Sequence, residues 1–330
     1  MAQRRFRFGI IDESSQTREH LIQNAQQAER LGYSTFLIRD HFIQGDFLHQ
    51  LAPIATLATV AAVTSTLRIG TLVFDNDYRH PALLAKEAAT LDLLSGGRLE
   101  LGLGAGWLQE EYEQTGIPFE SPGTRIERMQ ESIQVLKGLF AASPFSFQGK
   151  HYQITNLDSF PKPVQQPHPP LLIGAGGKRM LTIAAQEADI IGILASAIPN
   201  GVIEDIPTDR LASSVAQKVA LIRQAAGERF DQIELSMVLN IVPASHQQHV
   251  AEKVIVEQGW KGIGVEQVLE MPSYAIGSVE QMAEKLVLLR ERFALSYFVI
   301  SDASIEAFAP VVAALTRDDS PNTTTPLYSI

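Results

Sequence analysis

The feature that most constrains the fold of this chain is a regular alternation between two hydrophobic patterns. Short runs rich in β-branched residues alternate with longer segments whose apolar residues recur at helical spacing. This alternation is typical of stacked βα units with a parallel sheet. The predicted strands lie at 6–11, 35–38, 68–74, 99–103, 171–173, 190–194, 233–242 and 297–300. Eight strands with intervening helices favour an α/β fold of the closed (β/α)8 TIM-barrel type over an open doubly wound sheet.

One segment, 144–170, does not follow the alternation. Its six prolines and alternating apolar residues predict an insertion with a short antiparallel excursion. A chain of 330 residues has room for insertions, since a TIM barrel typically needs about 250. We predict one barrel domain over residues 1–317, with this insertion at about 144–170, and a polar tail at 318–330. The segment 246–276 predicts a long seventh crossover, with a helical stretch and a loop.

Composition and missing motifs exclude several functions. A net charge of −10 without a basic stripe argues against nucleic-acid binding. The absence of cysteine and of an H-E-x-x-H helix gives no reason to expect a metal site. The longest apolar stretch, 51–63, is too short to span a membrane. No apolar signal-peptide region follows the first residues, so we expect a cytoplasmic protein without membrane or nucleic-acid partners.

In a TIM barrel the reactive groups lie just after the strands, and the second predicted strand is followed by Asp40 and His41. An imidazole beside a carboxylate at this edge is a candidate general acid/base, because histidine ordinarily changes charge near neutral pH and the carboxylate can tune it. The alternative is a surface histidine in a turn. The third strand runs into Asp75, Asn76 and Asp77, which we interpret as an ordinary polar turn.

Alternating glycines mark the fourth predicted strand, at Gly102, Gly104 and Gly106, before Trp107. Glycines weaken a strand, so they usually indicate the close approach of a ligand or of another backbone. They do not form a Rossmann G-x-G-x-x-G motif, since Gln109 stands in the third glycine's place. Trp107 offers an aromatic face near the barrel mouth or packs against the insertion.

A second glycine-rich segment, Gly174, Gly176, Gly177 and Lys178, leads from the fifth predicted strand into a helix. Free backbone N–H groups, the positive end of the helix dipole and basic side chains make such a turn suitable for a phosphate. It is not a P-loop, because Lys178 is followed by Arg179. A tight barrel turn without a ligand is the alternative.

The assembled motifs resemble those of the luciferase-like monooxygenase superfamily. They are Asp40-His41-Phe42, Arg79-His80-Pro81, Lys86-Glu87, Leu91-Asp92, Ser95-Gly96-Gly97-Arg98, Leu101 to Trp107, Gly116 to Phe119, Arg125, Arg128, Pro161-Lys162-Pro163 and Gly174 to Lys178. The pattern is most like that of the deazaflavin-dependent oxidoreductases, which use coenzyme F420. The resemblance extends over nearly the whole chain and implies the bacterial luciferase-like TIM barrel.

The resemblance also implies roles for individual residues. Asp40 and His41 would lie by the deazaflavin ring as catalytic residues. A bulge with a non-prolyl cis peptide, near 72–74, would back the ring, and the glycine turn would bind the phosphate. Many relatives have asparagine where this chain has Leu108, so a cofactor contact there is not expected. The cofactor-binding residues expected on this basis are Leu72, Val73, Phe74, Gly106, Trp107, Gly174, Gly176, Gly177 and Lys178.

The motifs and the resemblance leave three alternative functions. The first is hydride transfer between coenzyme F420 and a small organic substrate, with His41 handling the proton. The second is an FMN-dependent monooxygenase that receives reduced flavin from a separate reductase and uses O2. The third is a non-catalytic flavin-binding barrel. The loops at 42–50, 144–170 and 246–276, which would select the substrate, contain no motif that identifies it.

A homodimer is expected from the helix predicted at 81–94. This segment carries more small and apolar side chains than one inward-facing surface needs, and exposed apolar patches usually find a partner. These side chains are Ala82, Leu83, Leu84, Ala85, Ala88 and Ala89.

Overall fold

A computed structural model describes residues 4–44, 50–195 and 206–317 of the chain. The tail predicted at 318–330 lies outside the described residues. The strands are β1 Arg7–Ile11, β2 Thr35–Ile38, β3 Arg68–Thr71, β4 Phe74–Asp75, β5 Leu99–Gly104, β6 Phe145–Gln148, β7 Gln153–Leu157, β8 Leu171–Ala175, β9 Ile190–Ile193, β10 Glu234–Val238, β11 Asn240–Pro243, β12 Tyr274–Gly277 and β13 Leu295–Ser301.

The predicted TIM barrel is confirmed. Parallel strands follow one another in the order β3-β2-β1-β13-β10-β9-β8-β5-β4, and pairing of β3 with β5 closes the ring. Because β3 and β4 share one barrel position, the ring has eight positions. The helices are α1 Arg18–Arg30, α2 Pro53–Val63, α3 Pro81–Leu94, α4 Gln109–Thr115, α5 Pro122–Phe140, α6 Lys178–Glu187, α7 Ala212–Ala226, α8 Gln247–Glu257, α9 Val265–Glu270, α10 Val279–Phe293 and α11 Ile305–Arg317.

Local signals explain several element boundaries. Thr17 caps α1 by accepting a hydrogen bond from the His20 N–H, and Gly32 follows the helix with a φ of +83°. Pro53 and Pro81 occupy the first position of α2 and α3, where a missing N–H is harmless. The bounds of β2 and α3 agree with those predicted from the sequence.

The seventh strand was predicted wrongly as one element over 233–242. The structure divides it into β10, which pairs with β9 and β13, and β11, which leaves the barrel and pairs in parallel with β12. The apolar run continues through both strands, so hydrophobic pattern alone does not show where the pairing partner changes. The strand β12 and the short helices α4 and α9 were not predicted. The expected antiparallel excursion is the β6–β7 pair.

The amino-terminal end of the barrel interior is closed by buried ion pairs. Arg7 on β1 contacts Glu100 on β5 and Glu234 on β10. Arg68 Nε lies 2.6 Å from Oε1 of the same Glu100, which is 1% exposed. A tyrosine, Tyr297, fills the centre of the ring beside this network. These side chains fill the amino-terminal end of the barrel interior.

No helix in the described ranges is both long and apolar enough to cross a membrane. Within the same ranges, no three histidine or acidic side chains are grouped as metal ligands.

Candidate active site

A cavity of about 550 Å³ opens at the carboxyl ends of the barrel strands and is called the mouth cavity below. Its volume lies within the range of small-molecule and cofactor sites, roughly 300–1,000 Å³. Every site residue expected from the sequence lines it: Asp40, His41, Leu72, Val73, Phe74, Gly106, Trp107, Gly174, Gly176, Gly177 and Lys178. The fold thus places segments distant in sequence around one space, while their roles stay predictions.

His41, which follows β2, is hydrogen-bonded to a carboxylate that the sequence motifs did not indicate. Its Nδ1 lies 3.0 Å from Oε2 of Glu111, on α4. The imidazole also meets Trp107 edge to face, with ring centroids 5.9 Å apart. The side chain of His41 is only 11% exposed. The ring is therefore held in one orientation by a carboxylate on one side and an indole on the other.

Glu111 is fully buried and accepts hydrogen bonds from four donors. The backbone N–H groups of Phe42 and Ile43 lie 2.6 and 3.0 Å from Oε1, and the Tyr78 hydroxyl lies 2.8 Å from Oε2. Burial by itself would raise the pKa of Glu111, but the hydrogen bonds, with that of His41 the largest, lower the pKa overall. An ionised Glu111 accepts the Nδ1–H of His41, which fixes the imidazole tautomer.

Asp40, the sequence neighbour of His41, is held by a different part of the chain, and its expected influence on His41 stays a prediction. The carboxylate of Asp40 is bound by Arg79, whose Nη2 lies 3.1 Å from Oδ1 and whose Nη1 contacts Oδ2. Asp40 also accepts a hydrogen bond of 3.2 Å from the Asp75 N–H. Successive residues after a strand diverge in direction, so Asp40 and His41 reach different partners. Asp40 still lines the mouth cavity.

Between β3 and β4 the barrel wall is interrupted at Leu72 and Val73. The peptide bond that joins them is cis, so the prediction of a non-prolyl cis bond in this stretch is confirmed. Val73 fits because Gly104 beside it has no side chain: a Cβ on Gly104 would lie 2.6 Å from Val73 Cγ2. A Cβ on Gly174 would lie 3.7 Å from Val73 Cγ1, an ordinary van der Waals contact. These residues give the cavity an apolar wall.

The glycine turn after β8 leads directly into α6. Gly177 is the N-cap residue and Lys178 the first helical residue, and no side chain caps the helix. Backbone N–H groups at an uncapped helix start are suited to an anion. Lys178 and Arg179 are exposed beside it, and Arg179 Nη2 lies 3.7 Å from Glu127 on α5. The cavity thus combines an apolar wall with a cationic end.

Asp75 also lines the mouth cavity, although its segment was interpreted as an ordinary turn. The carboxyl is 9% exposed, and the Tyr112 hydroxyl lies 3.0 and 2.9 Å from its two oxygens. Burial, followed by the negative charges of Asp77 and Asp40, raises the pKa of Asp75 to about 7 despite opposing hydrogen bonds. The sequence offered one signal for both residues, since Asp75 and Glu111 are acidic residues in segments that follow barrel strands.

The chain matches one family model and is similar to enzymes that depend on FMNH(2) or on F420. The family model for luciferase-like monooxygenases matches residues 5–296 of the chain. The FMNH(2)-dependent dimethylsulfone monooxygenase of Pseudomonas putida is 25% identical over 317 residues, which cover 89% of this chain and 86% of that enzyme. The F420-dependent glucose-6-phosphate dehydrogenase of Amycolatopsis mediterranei is 31% identical over 172 residues, 51% of each protein. The match to the dehydrogenase therefore spans about half of its length.

A solved structure shares the fold over nearly the whole chain. The coenzyme F420 dependent tetrahydromethanopterin reductase from Methanopyrus kandleri superimposes with a TM-score of 0.73 at 18% identity, covering 96% of this chain and 99% of that one. At this identity the likeness concerns the barrel architecture alone.

Proposed function

This chain belongs to the luciferase-like monooxygenase family, and we propose that it is an oxidoreductase that binds a deazaflavin, coenzyme F420, in the mouth cavity. Its substrate would be a small organic molecule. The observation that carries the proposal is that the hydrogen-bonded His41–Glu111 pair and the glycine turn before α6 open on the same apolar cavity. This combination provides a proton-handling group, a wall for a flat ring and a site for a phosphate.

The residues of the cavity fit such a cofactor. Leu72, Val73 and Trp107 provide the apolar surface that a tricyclic ring needs. The N–H groups at Gly177 and the start of α6, with the Lys178 ammonium, would hold the phosphate. Two basic side chains in succession, Lys178 and Arg179, suit a cofactor with a further acidic tail.

Each side chain then has a definite task. When bound, a deazaflavin supplies hydride transfer at C5 of its ring. Glu111 holds His41 through Nδ1, so His41 would exchange a proton with the substrate through Nε2. Arg79 orients the Asp40 side chain at the edge of the cavity. The apolar wall excludes water from the reacting atoms.

FMN-dependent monooxygenation is the second candidate function. The observation in its favour is that the FMNH(2)-dependent relative matches 89% of the chain, a larger share than the deazaflavin-dependent dehydrogenase does. In this case the same cavity would hold reduced FMN supplied by a separate reductase. A cytoplasmic location is part of either proposal.

Coenzyme F420 is expected to bind the purified protein more tightly than FMN. Both cofactors would place a phosphate on the glycine turn, but a deazaflavin lacks the ring nitrogen that helps a flavin to handle protons. A cavity that supplies its own proton donor, His41, therefore suits the deazaflavin. Fluorescence titration of the apoprotein with each cofactor checks this. Tight binding of FMN with no response to coenzyme F420 would contradict the proposal and support the monooxygenase.

Gly177→Val is expected to weaken cofactor binding by about tenfold or more, a loss of about 1.4 kcal/mol. Gly177 has φ −89° and ψ 156°, which any residue adopts, so the substitution acts through the space beside the helix start. Gly177→Ala should lie between the variant and the wild type. Parallel binding titrations and circular dichroism test this. Unchanged affinity in a folded Gly177→Val variant would place the phosphate elsewhere.

We also propose a homodimer, and the exposed leucines of α3, not its alanines, support it. The alanines of α3 are mostly buried in the chain's own core, so they are not the surplus surface expected from the sequence. Of the predicted side chains, Leu83 is exposed, at 51%, and two further leucines of α3 are exposed as well, Leu93 at 50% and Leu94 at 66%. Exposed apolar side chains on one helix favour association. Sedimentation at micromolar concentration is expected to show a dimer, and a monomer there would contradict it.

A further inference from the structure

Among the described residues, three carboxyl side chains line the mouth cavity, and one of them is held without a basic side chain. Arg79 binds Asp40 and His41 binds Glu111. For Asp75, no basic side chain of residues 4–44, 50–195 and 206–317 lies within ion-pairing distance. Its oxygens are held by the Tyr112 hydroxyl and by the Asp77 N–H, which lies 2.9 Å from Oδ1. Asp75 is therefore a buried carboxyl held by neutral groups.

The position of Asp75 depends on a glycine across the cavity wall. A Cβ on Gly106 would lie 2.5 Å from Asp75 Oδ2 and 1.8 Å from the Tyr112 hydroxyl oxygen. Gly106 has a φ of +69°, which side chains other than glycine rarely adopt. The backbone after β5 is thus built to admit the Asp75–Tyr112 contact at the edge of the cavity.

The charges around Asp75 favour its acid form. Burial is the first cause, and the carboxylates of Asp40 and Asp77 add repulsion, so the pKa of Asp75 is raised from 3.8 to about 7. The groups that face it are Asp40 after β2, Asp77 and Tyr78 in the turn after β4, Tyr112 on α4 and Arg125 on α5. Arg128, also on α5, is paired to Asp77. Arg125 and the hydrogen bonds from Tyr112 and the Asp77 N–H oppose the effect without reversing it.

We propose that Asp75 is a second proton-bearing residue of the mouth cavity, which in its acid form donates a hydrogen bond to a ring carbonyl oxygen of the bound cofactor. His41 and Glu111 form a separate pair, so the two proton sites can be tested independently. The proposal rests on the proposed function in requiring a cofactor with ring carbonyls, which flavins and deazaflavins share. The step consumes no other reactant: the Asp75 carboxylate takes one proton from the buffer to form its O–H bond, and no other bond forms or breaks.

Proton uptake on binding gives the most specific test. Calorimetric titration with coenzyme F420 at pH 7.5, in two buffers of different ionisation enthalpy, measures the protons taken up. An acid with a pKa of about 7 that must be protonated in the complex takes up about three-quarters of a proton at this pH. We expect this uptake to disappear in Asp75→Asn and to persist in Asp158→Asn, a matched control whose side chain is 66% exposed. Equal uptake in Asp75→Asn and the wild type overturns the proposal.

Carbon-13 NMR titration of the carboxyl groups in the ligand-free protein separates this inference from the proposed function. One carboxyl is expected to titrate near neutral pH, to be absent in Asp75→Asn and to titrate at higher pH in Tyr112→Phe, which loses an opposing hydrogen bond. An Asp75 carboxyl that titrates in the ordinary acid range overturns the inference. If this titration is seen but neither coenzyme F420 nor FMN binds, the proposed function fails together with the hydrogen bond to the cofactor.

The Asp75→Asn variant is expected to fold, because the buried Asp75 carboxylate lowers the stability of the wild type at neutral pH. Because the pKa of Asp75 is raised on folding, the folded state loses stability as the pH rises between 3.8 and about 7. Asp75→Asn removes this buried charge, so it should be at least as stable as the wild type above pH 7.

Discussion

His41→Ala is expected to slow turnover by about 10²–10⁴-fold, the usual contribution of a general acid or base. The imidazole lies at the mouth of the barrel, is held by Glu111 at 3.0 Å and lines the cavity proposed for the cofactor. Alanine removes the proton-handling group but leaves the apolar wall and the glycine turn. Cofactor affinity should therefore stay close to that of the wild type. Steady-state rates beside a binding titration measure both quantities.

His249→Ala is the matched control for this substitution. His249 lies on α8, its side chain is 66% exposed, and it does not line the cavity. We expect wild-type turnover in this variant. Full turnover in His41→Ala would contradict the catalytic role and leave His41 as a residue of the turn. Absence of turnover in the wild type with either cofactor would instead favour the third alternative, a barrel that binds flavin without catalysis.

Glu111→Gln is expected to slow turnover by about tenfold to 10³-fold, because it removes the charge that orients and stabilises the His41 ring. The amide oxygen can still accept the N–H groups of Phe42 and Ile43, so most of the local structure should survive. Glu110→Gln, exposed on the same helix, provides the control and should behave as the wild type. Thermal unfolding confirms that each variant is folded.

A double-variant comparison distinguishes a role through His41 from a general structural role. Residues that act as a unit show strongly non-additive effects on rate. If Glu111 acts through His41, the variant with both His41→Ala and Glu111→Gln should be no slower than His41→Ala alone. Rate losses that multiply would contradict this role of Glu111.

The sequence predicted those parts of the site that depend on one segment at a time. Asp40 and His41 follow a clear strand, and Gly176 and Gly177 precede a helix, so their places at the barrel mouth follow from the fold class. The helical and β-branched patterns likewise predicted the eight barrel positions. These are local signals that tertiary packing reinforced.

The pairings between segments could not be predicted in this way. His41 and Glu111 are 70 positions apart, and Asp40 and Arg79 are 39 apart. Which carboxylate reaches which basic group is decided by the direction of each side chain after its strand. The raised pKa of Asp75 likewise arises from burial and from the charges of Asp40 and Asp77, which meet only in the closed barrel. The division of β10 from β11 depends on a change of pairing partner inside one apolar run.

The most direct test of the central claim is an electron-density map of the protein crystallised with coenzyme F420. We predict density for the ring in the mouth cavity, against Leu72 and Val73 and within reach of His41. The phosphate should lie on the backbone of Gly176 and Gly177 at the start of α6. A ring bound outside this cavity, or a phosphate held away from the glycine turn, would contradict the claim.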